Sequence, residues 1–179
     1  MSAATDRLPL SLQSYLLEYL LGIKGIGEVW SNILVSRDYH VPPTGFTKYG
    51  ITASKVRYSV GQPMGAYSSW AMLALTHHLI LQYCNHQVYG LTTNKKCLLT
   101  VKWYDNYEIL GDDIIIFDAK VAQKYLEVMK GLGVEINLSK SIQSTNGTFE
   151  FAKRLIINRR LSQDCLDDSS WTTISLVSV

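Results

Sequence analysis

Two apolar runs, Tyr107–Leu110 and Ile114–Phe117, close on the tripeptide Gly111-Asp112-Asp113. No other arrangement in the chain limits its folding choices as much. Short apolar runs joined across a glycine turn read as buried strands, so the tripeptide falls at a hairpin tip. Ionised carboxylates beside a core need a cation or a partner to offset the lost hydration. Hard cations such as Mg²⁺ are typically held by one or two carboxylates together with substrate phosphates. Such ions are central to two-metal phosphoryl transfer. Taken alone, Gly-Asp-Asp is also an ordinary turn sequence, so its surroundings have to decide.

The chain has 179 residues, enough for one domain with a core. An apolar fraction of 47% against 18% charged residues excludes a disordered polyelectrolyte. A net charge of +2 permits nucleic-acid contact without requiring it. The cations are unevenly spread. Lys153, Arg154, Arg159 and Arg160 crowd one stretch, and Lys48, Lys55 and Arg57 precede Gly61. Such clusters are either solvated faces or phosphate contacts. Cys84, Cys97 and Cys165 have no metal-ligand spacing and imply no disulfide framework, and Cys84 reads as a small buried hydrophobe. Met1–Leu10 shows no secretory signal, and the early Asp6 is unlike a cleavable mitochondrial presequence. Met64–Tyr83 is apolar but carries Ser68, Ser69, Thr76, His77, His78 and Gln82. It is expected to be a buried helix, not a membrane span.

Ser11–Leu21 places Leu12, Tyr15, Leu16, Tyr19 and Leu20 on one helical stripe that ends at Gly22. Ser36–Ser59 reads as loop, and the Gly61–Gly65 loop feeds the apolar helix. Leu98–Tyr104 reads as a further strand before the Tyr107 hairpin. Asp118 is expected to cap a helix over Ala119–Leu132, and Gly131 and Gly133 end it. Val134–Leu138 alternates as a strand does. Asn146-Gly147 is expected to join Ser141–Thr145 and Thr148–Ala152 in a hairpin, and Leu155–Asn158 could add one more strand. Helices and antiparallel strands thus alternate around one sheet, an α+β pattern. Asp164–Val179 loses this periodicity and reads as a divergent tail.

Four segments in order then line up. They are Ser2-Ala3-Ala4-Thr5-Asp6-Arg7-Leu8-Pro9; Gly61-Gln62-Pro63-Met64-Gly65-Ala66-Tyr67-Ser68-Ser69-Trp70, running on to Thr76-His77-His78; Gly111-Asp112-Asp113; and Phe149-Glu150-Phe151-Ala152-Lys153-Arg154. Together they resemble the palm of a viral RNA-dependent RNA polymerase of the mitovirus type, over about Ser2 to Arg160. The resemblance implies a palm-like antiparallel sheet packed on helices, a partial palm domain over residues 1–160 and a divergent tail over 161–179. Fingers and thumb would be missing.

The resemblance also implies roles. Asp112 and Asp113 would hold Mg²⁺ or Mn²⁺, with Asp112 as the principal ligand. Gly61, Gln62 and Gly65 would form the loop beside RNA, where glycine lets backbone approach closely. Asp6 would meet the ribose 2′-hydroxyl, the group that distinguishes RNA from DNA, and Ser69 would be its polar partner. Lys140 would act on the departing pyrophosphate; a solvated turn lysine is the alternative. Lys153 and Arg154 would contact phosphate of the nascent strand. His77 and His78 face different ways on one helix; one is expected in the core, and neither is given chemistry.

RNA template and nucleoside triphosphates are the implied partners, and the mitochondrion is the implied compartment, with organelle encoding reconciling it with the N-terminus. In this family an Asp that bridges the metals stands just before the position Met1 occupies. Without it, the chain is expected to be inactive alone. The expectation is a relic of a polymerase gene. The alternatives are an enzyme that is active only with a partner supplying that Asp, a non-catalytic RNA-binding fragment, and a chain that is hardly expressed.

Overall fold

A computed structural model describes residues 4–40, 55–90, 103–137, 141–144 and 148–156, and the backbone of 173–176. The chain divides into two compact units. One is Thr5–Met72; the other is Leu73–Val179 with Met1–Ala4.

The Thr5–Met72 unit is built on helices. After the short α1 (Ala4–Arg7) come α2 (Leu10–Leu21) and α3 (Ile26–Val35). Gly22 ends α2 in the left-handed region (φ 65°), and its N–H reaches the Glu18 carbonyl. The two helices then pack closely at Gly27. A Cβ there would lie 2.1 Å from the Ser14 carbonyl oxygen, so only glycine fits. The face of α2 turned inward carries Leu10, Gln13 and Leu16. This differs from the expected stripe, because Tyr15, Tyr19 and Leu20 are exposed. Buried Gln13 explains part of the difference. Its amide donates to the Leu8 carbonyl and accepts from Gln62, so a polar residue is satisfied inside. Within the stretch expected to be loop, β1 (Tyr39–His40) pairs antiparallel with β2 (Lys55–Val56).

The helix α4 (Tyr67–Tyr89) begins in this unit and runs on into the second. There Leu73, Thr76, His77, Ile80, Leu81 and Cys84 form a buried stripe at helical spacing. Burial pushes the Cys84 thiol up to about 12, which makes it an inert packing group. Next come β3 (Tyr107–Leu110), β4 (Asp113–Ile116) and α5 (Ala119–Gly131). Asp118 caps α5 as expected, accepting from the Lys120 and Val121 amides at 2.8 and 3.0 Å. Val121, Ala122, Tyr125 and Met129 give α5 a buried face, and it packs against β4.

The sheet that results is antiparallel, in the order β3-β4-β8-β5, with β5 at Ser141–Ser144 and β8 at Thr173–Leu176. In the second unit, β4 is an interior strand, which explains why Ile114, Ile115 and Ile116 are all buried. The strands differ from expectation in several places. Thr173–Leu176 lies in the stretch read as a divergent tail, yet it pairs with both β4 and β5. Asn146-Gly147 lies outside the described residues; Thr148 donates its N–H to Ser144 Oγ at 3.1 Å, but Phe149–Phe151 is not strand-paired with Ser141–Ser144. Instead β6 (Phe149–Phe151) pairs with β7 (Arg154–Ile156) across Ala152-Lys153. The strand partner of β5 is the distant β8. Val134–Asn137 forms no strand. Trp103 and Tyr104, the described end of the Leu98–Tyr104 stretch, are also outside any strand. The fold is α+β.

Among the described residues no helix is long and apolar enough to cross a membrane.

Candidate active site

The register Leu110↔Asp113 leaves Gly111 and Asp112 as the two central residues of the β3–β4 turn. Gly111 has φ 63°, whereas Asp112 is not among the residues of positive φ. Only the first central position is therefore left-handed, a pattern that requires glycine there. Asp112 sits on the turn, Asp113 opens β4, and both are half-buried.

Behind the turn lies a polar assembly that sequence reasoning had left without chemistry. His77 Nδ1 is 3.1 Å from the Gly111 carbonyl oxygen, and its Nε2 is 2.6 Å from the Tyr125 hydroxyl. A carbonyl only accepts, so Nδ1 carries the proton and Nε2 accepts from Tyr125. The His77 pKa is lowered to about 4, chiefly by burial, with a smaller lowering from the charge of His78. The Gly111 carbonyl and the Asp112 charge oppose that shift. The imidazole is neutral at pH 7. Burial also raises the Tyr125 hydroxyl far above its ordinary value.

One residue on, His78 Nδ1 meets the Tyr107 hydroxyl at 2.8 Å. Gln82 donates to the Tyr104 carbonyl at 2.7 Å and accepts from the Tyr104 amide at 2.9 Å. The helix thus grips the hairpin at its start (Tyr104 and Tyr107) and at its tip (Gly111). The clue in the sequence was a His on an otherwise apolar stripe, since a buried polar ring must find partners.

In the Thr5–Met72 unit the structure brings Asp6 and the Gly61 loop together. The Gln62 amide donates to the Thr5 carbonyl at 2.9 Å, and the Leu10 amide donates to the Val60 carbonyl at 2.8 Å. A Cβ on Gly61 would sit 2.1 Å from the Thr5 carbonyl oxygen and 2.4 Å from the Asp6 carbonyl carbon. Glycine is required there by the chain's own backbone. Half-buried Asp6 faces Tyr58, whose hydroxyl pKa is raised by burial, by the Asp6 charge and by hydrogen bonding to it. Ser69 is buried, and its carbonyl accepts from Gln62. Gln62 is wholly enclosed, its amide also donating to Gln13 at 2.7 Å. The Gln62 side chain is thus turned inward, with its hydrogen bonds made inside the unit. Gly65 is exposed at φ 90°.

Of the cations, Lys55 and Arg57 are paired with Asp38. Lys153 and Arg154 are exposed on the β6–β7 hairpin, with Ala152 and Lys153 at φ 51° and 62°. Lys140 lies outside the described residues. Among the described residues no cluster of three or more His, Cys, Asp or Glu forms a closed metal cage.

The family description of the Mitovirus RNA-dependent RNA polymerase matches residues 1–162, a span that contains the acidic turn, the glycine loop and the basic hairpin. The chain belongs to the mitovirus RNA-dependent RNA polymerase family. The RNA-directed RNA polymerase of Cryphonectria parasitica mitovirus 1 is 43% identical over 155 residues, which cover 87% of this chain and 16% of the viral protein. An uncharacterized mitochondrial protein of Arabidopsis thaliana is 33% identical over 154 residues, covering 86% of this chain and 56% of that protein. A second from the same plant is 32% identical over 142 residues, covering 79% and 63%. This member of the mitovirus polymerase family therefore spans about one-sixth of the viral relative and over half of the plant ones. No solved structure matches the chain.

Proposed function

We propose that the chain is a fragment of a mitovirus-type polymerase that retains part of the palm, over residues 1–160, with the Asp112-Asp113 turn as its metal-holding element. The observation that carries this reading is the presentation of two adjacent, half-buried carboxylates on a hairpin tip held from behind by α4. Two carboxylates suit Mg²⁺ or Mn²⁺, which complete their shell with water and substrate phosphates and need no all-protein cage. When bound, such ions supply the charge that activates the attacking oxygen and stabilises the leaving one. The protein's part is positional. Asp112 and Asp113 hold the ions. Asp6, with Tyr58 on one side, offers a carboxylate oxygen to a ribose hydroxyl. Gly61 lets the loop backbone approach the backbone of Thr5 and Asp6, and Ser69 is the polar partner of Asp6. Lys153 and Arg154 meet phosphate, and Lys140 meets the departing pyrophosphate.

A further, metal-bridging Asp is called for besides Asp112 and Asp113; the resemblance sets it just before the position of Met1. Losing about 3–4 kcal/mol of charge stabilisation slows such a reaction roughly 10²–10³-fold. These residues by themselves are therefore expected to be inactive, and activity is expected to depend on a source of that Asp. Primer extension on an RNA template with Mg²⁺ and nucleotides tests this. The expected result is no extension by the 179 residues and detectable extension once the Asp-bearing segment is supplied in cis or trans. Extension that survives Asp112→Asn with Asp113→Asn would reject the metal-turn reading.

The mitochondrial plant relatives support a further reading, that of an endogenised viral copy encoded in a plant mitochondrial genome. The exposed Lys153 and Arg154 favour a second function, RNA binding without catalysis. It predicts affinity that falls with salt, and a slope about one to two units shallower in Lys153→Ala with Arg154→Ala. An unchanged slope would argue it away.

A further inference from the structure

We propose that His77 and Tyr125 are positioning residues that select the conformation of the Gly111-Asp112 turn and so aim the Asp112 carboxylate. This rests on the reading of that turn as the metal-holding element. The carbonyl that His77 holds, at 3.1 Å, belongs to the central peptide of a two-residue turn. Rotating that peptide interconverts the two glycine-led hairpin turns. In one, only the first central residue has positive φ; in the other, both do.

The turn is in the first form, with Gly111 at φ 63° and Asp112 outside the left-handed region. Asp is one of the residues that tolerates the left-handed region, so the other form is within reach. A donor fixed on the Gly111 oxygen holds the peptide in one orientation. With it are fixed the backbone of Asp112 and the direction in which its side chain leaves the turn.

The donor is itself fixed. An imidazole can place its proton on either ring nitrogen, and with the proton on Nε2 it would turn a lone pair toward the Gly111 oxygen. The Tyr125 hydroxyl at 2.6 Å supplies the proton that Nε2 accepts, leaving Nδ1 to donate. Both partners are buried, His77 at 1% exposure and Tyr125 at 0%, so water does not readily substitute for either. Tyr125 stands on α5 and His77 on α4, and the turn lies between β3 and β4. Three separate elements of one unit therefore converge on a single carbonyl.

The test is nuclear magnetic resonance on the whole 179-residue chain with Mn²⁺ as the probe. It reads the imidazole tautomer from the ring nitrogens and the Mn²⁺ midpoint from paramagnetic broadening of the Asp112 and Asp113 amides. The unaltered chain is expected to show the Nδ1–H tautomer. Tyr125→Phe, which preserves shape, is expected to shift the ring toward Nε2–H and raise the midpoint by about three- to tenfold, the worth of one hydrogen bond. His77→Leu is expected to raise it by about tenfold. His77→Asn, whose amide N–H falls near the place of Nδ1–H, is expected to stay within about threefold of the original, a rescue that a packing role would not give.

Unchanged midpoints in Tyr125→Phe and His77→Leu, with broadening lost in Asp112→Asn and Asp113→Asn, would overturn the positioning role and leave the metal turn standing. The same loss in His77→Asn as in His77→Leu would also overturn it. Absence of broadening at Asp112 and Asp113 in the unaltered chain would overturn both. If His77→Leu fails to fold, Tyr125→Phe and the tautomer decide alone.

Discussion

His77 shows how one buried side chain couples stability to pH. Its folded pKa of about 4 lies below the unfolded value of 6.5. Above pH 6.5 the ring is neutral in both states and its contribution is complete. As pH falls toward 4, the unfolded chain takes up a proton that the folded chain refuses, so stability is lost. The loss is about 1.4 kcal/mol per unit and about 3 kcal/mol in all. Burial dominates that value; the Gly111 carbonyl and the Asp112 charge oppose it and the His78 charge adds to it, while the Tyr125 ring lies against the imidazole. Urea unfolding at pH 7, 5.5 and 4.5 is expected to show this decline, and His77→Asn is expected to remove most of it. An identical decline in both proteins would contradict the account. Sequence alone made Asp112 and Asp113 visible because charge beside apolar strands is conspicuous. It left His77 mute, because what the ring does depends on a carbonyl 34 residues away.

At the scale of elements, the chain was legible where local pattern and burial agree. The Tyr107–Phe117 hairpin, the α5 cap at Asp118 and the long helix after Gly65 all followed from short-range rules. It was misleading where distant pairing decides, as with β8, which lies in the stretch read as a tail and pairs with β4 and β5. It also misled where a polar residue, Gln13, took an inward position that periodicity gives to an apolar one. Gly61 and Gly27 carry a prediction at this scale. Each is pressed against backbone that cannot move away like a side chain, so Gly61→Ala and Gly27→Ala are each expected to cost about 1–3 kcal/mol. Gly131→Ala, on α5 with nothing within 4 Å, is expected to gain a few tenths to about 1 kcal/mol. Chemical denaturation of the three variants checks this, and a neutral Gly61→Ala would contradict the close approach of the loop to Thr5 and Asp6.

For the molecule as a whole, family membership and the acidic turn point to the same chemistry, while the chain covers only a minor part of its viral relative. Tyr15, Tyr19, Ile23, Val29 and Ile33 are exposed on α2, α3 and the turn that joins them. The central claim is that Asp112 and Asp113 form the cation seat of this chain. Hydroxyl-radical mapping with Fe²⁺ and ascorbate in place of Mg²⁺ tests it most directly, because the backbone is cut only close to the bound ion. The account predicts cuts centred on Gly111–Asp113, suppressed by excess Mg²⁺ and lost in Asp112→Asn with Asp113→Asn. Cuts that fall elsewhere, or that persist in the double variant, would contradict it.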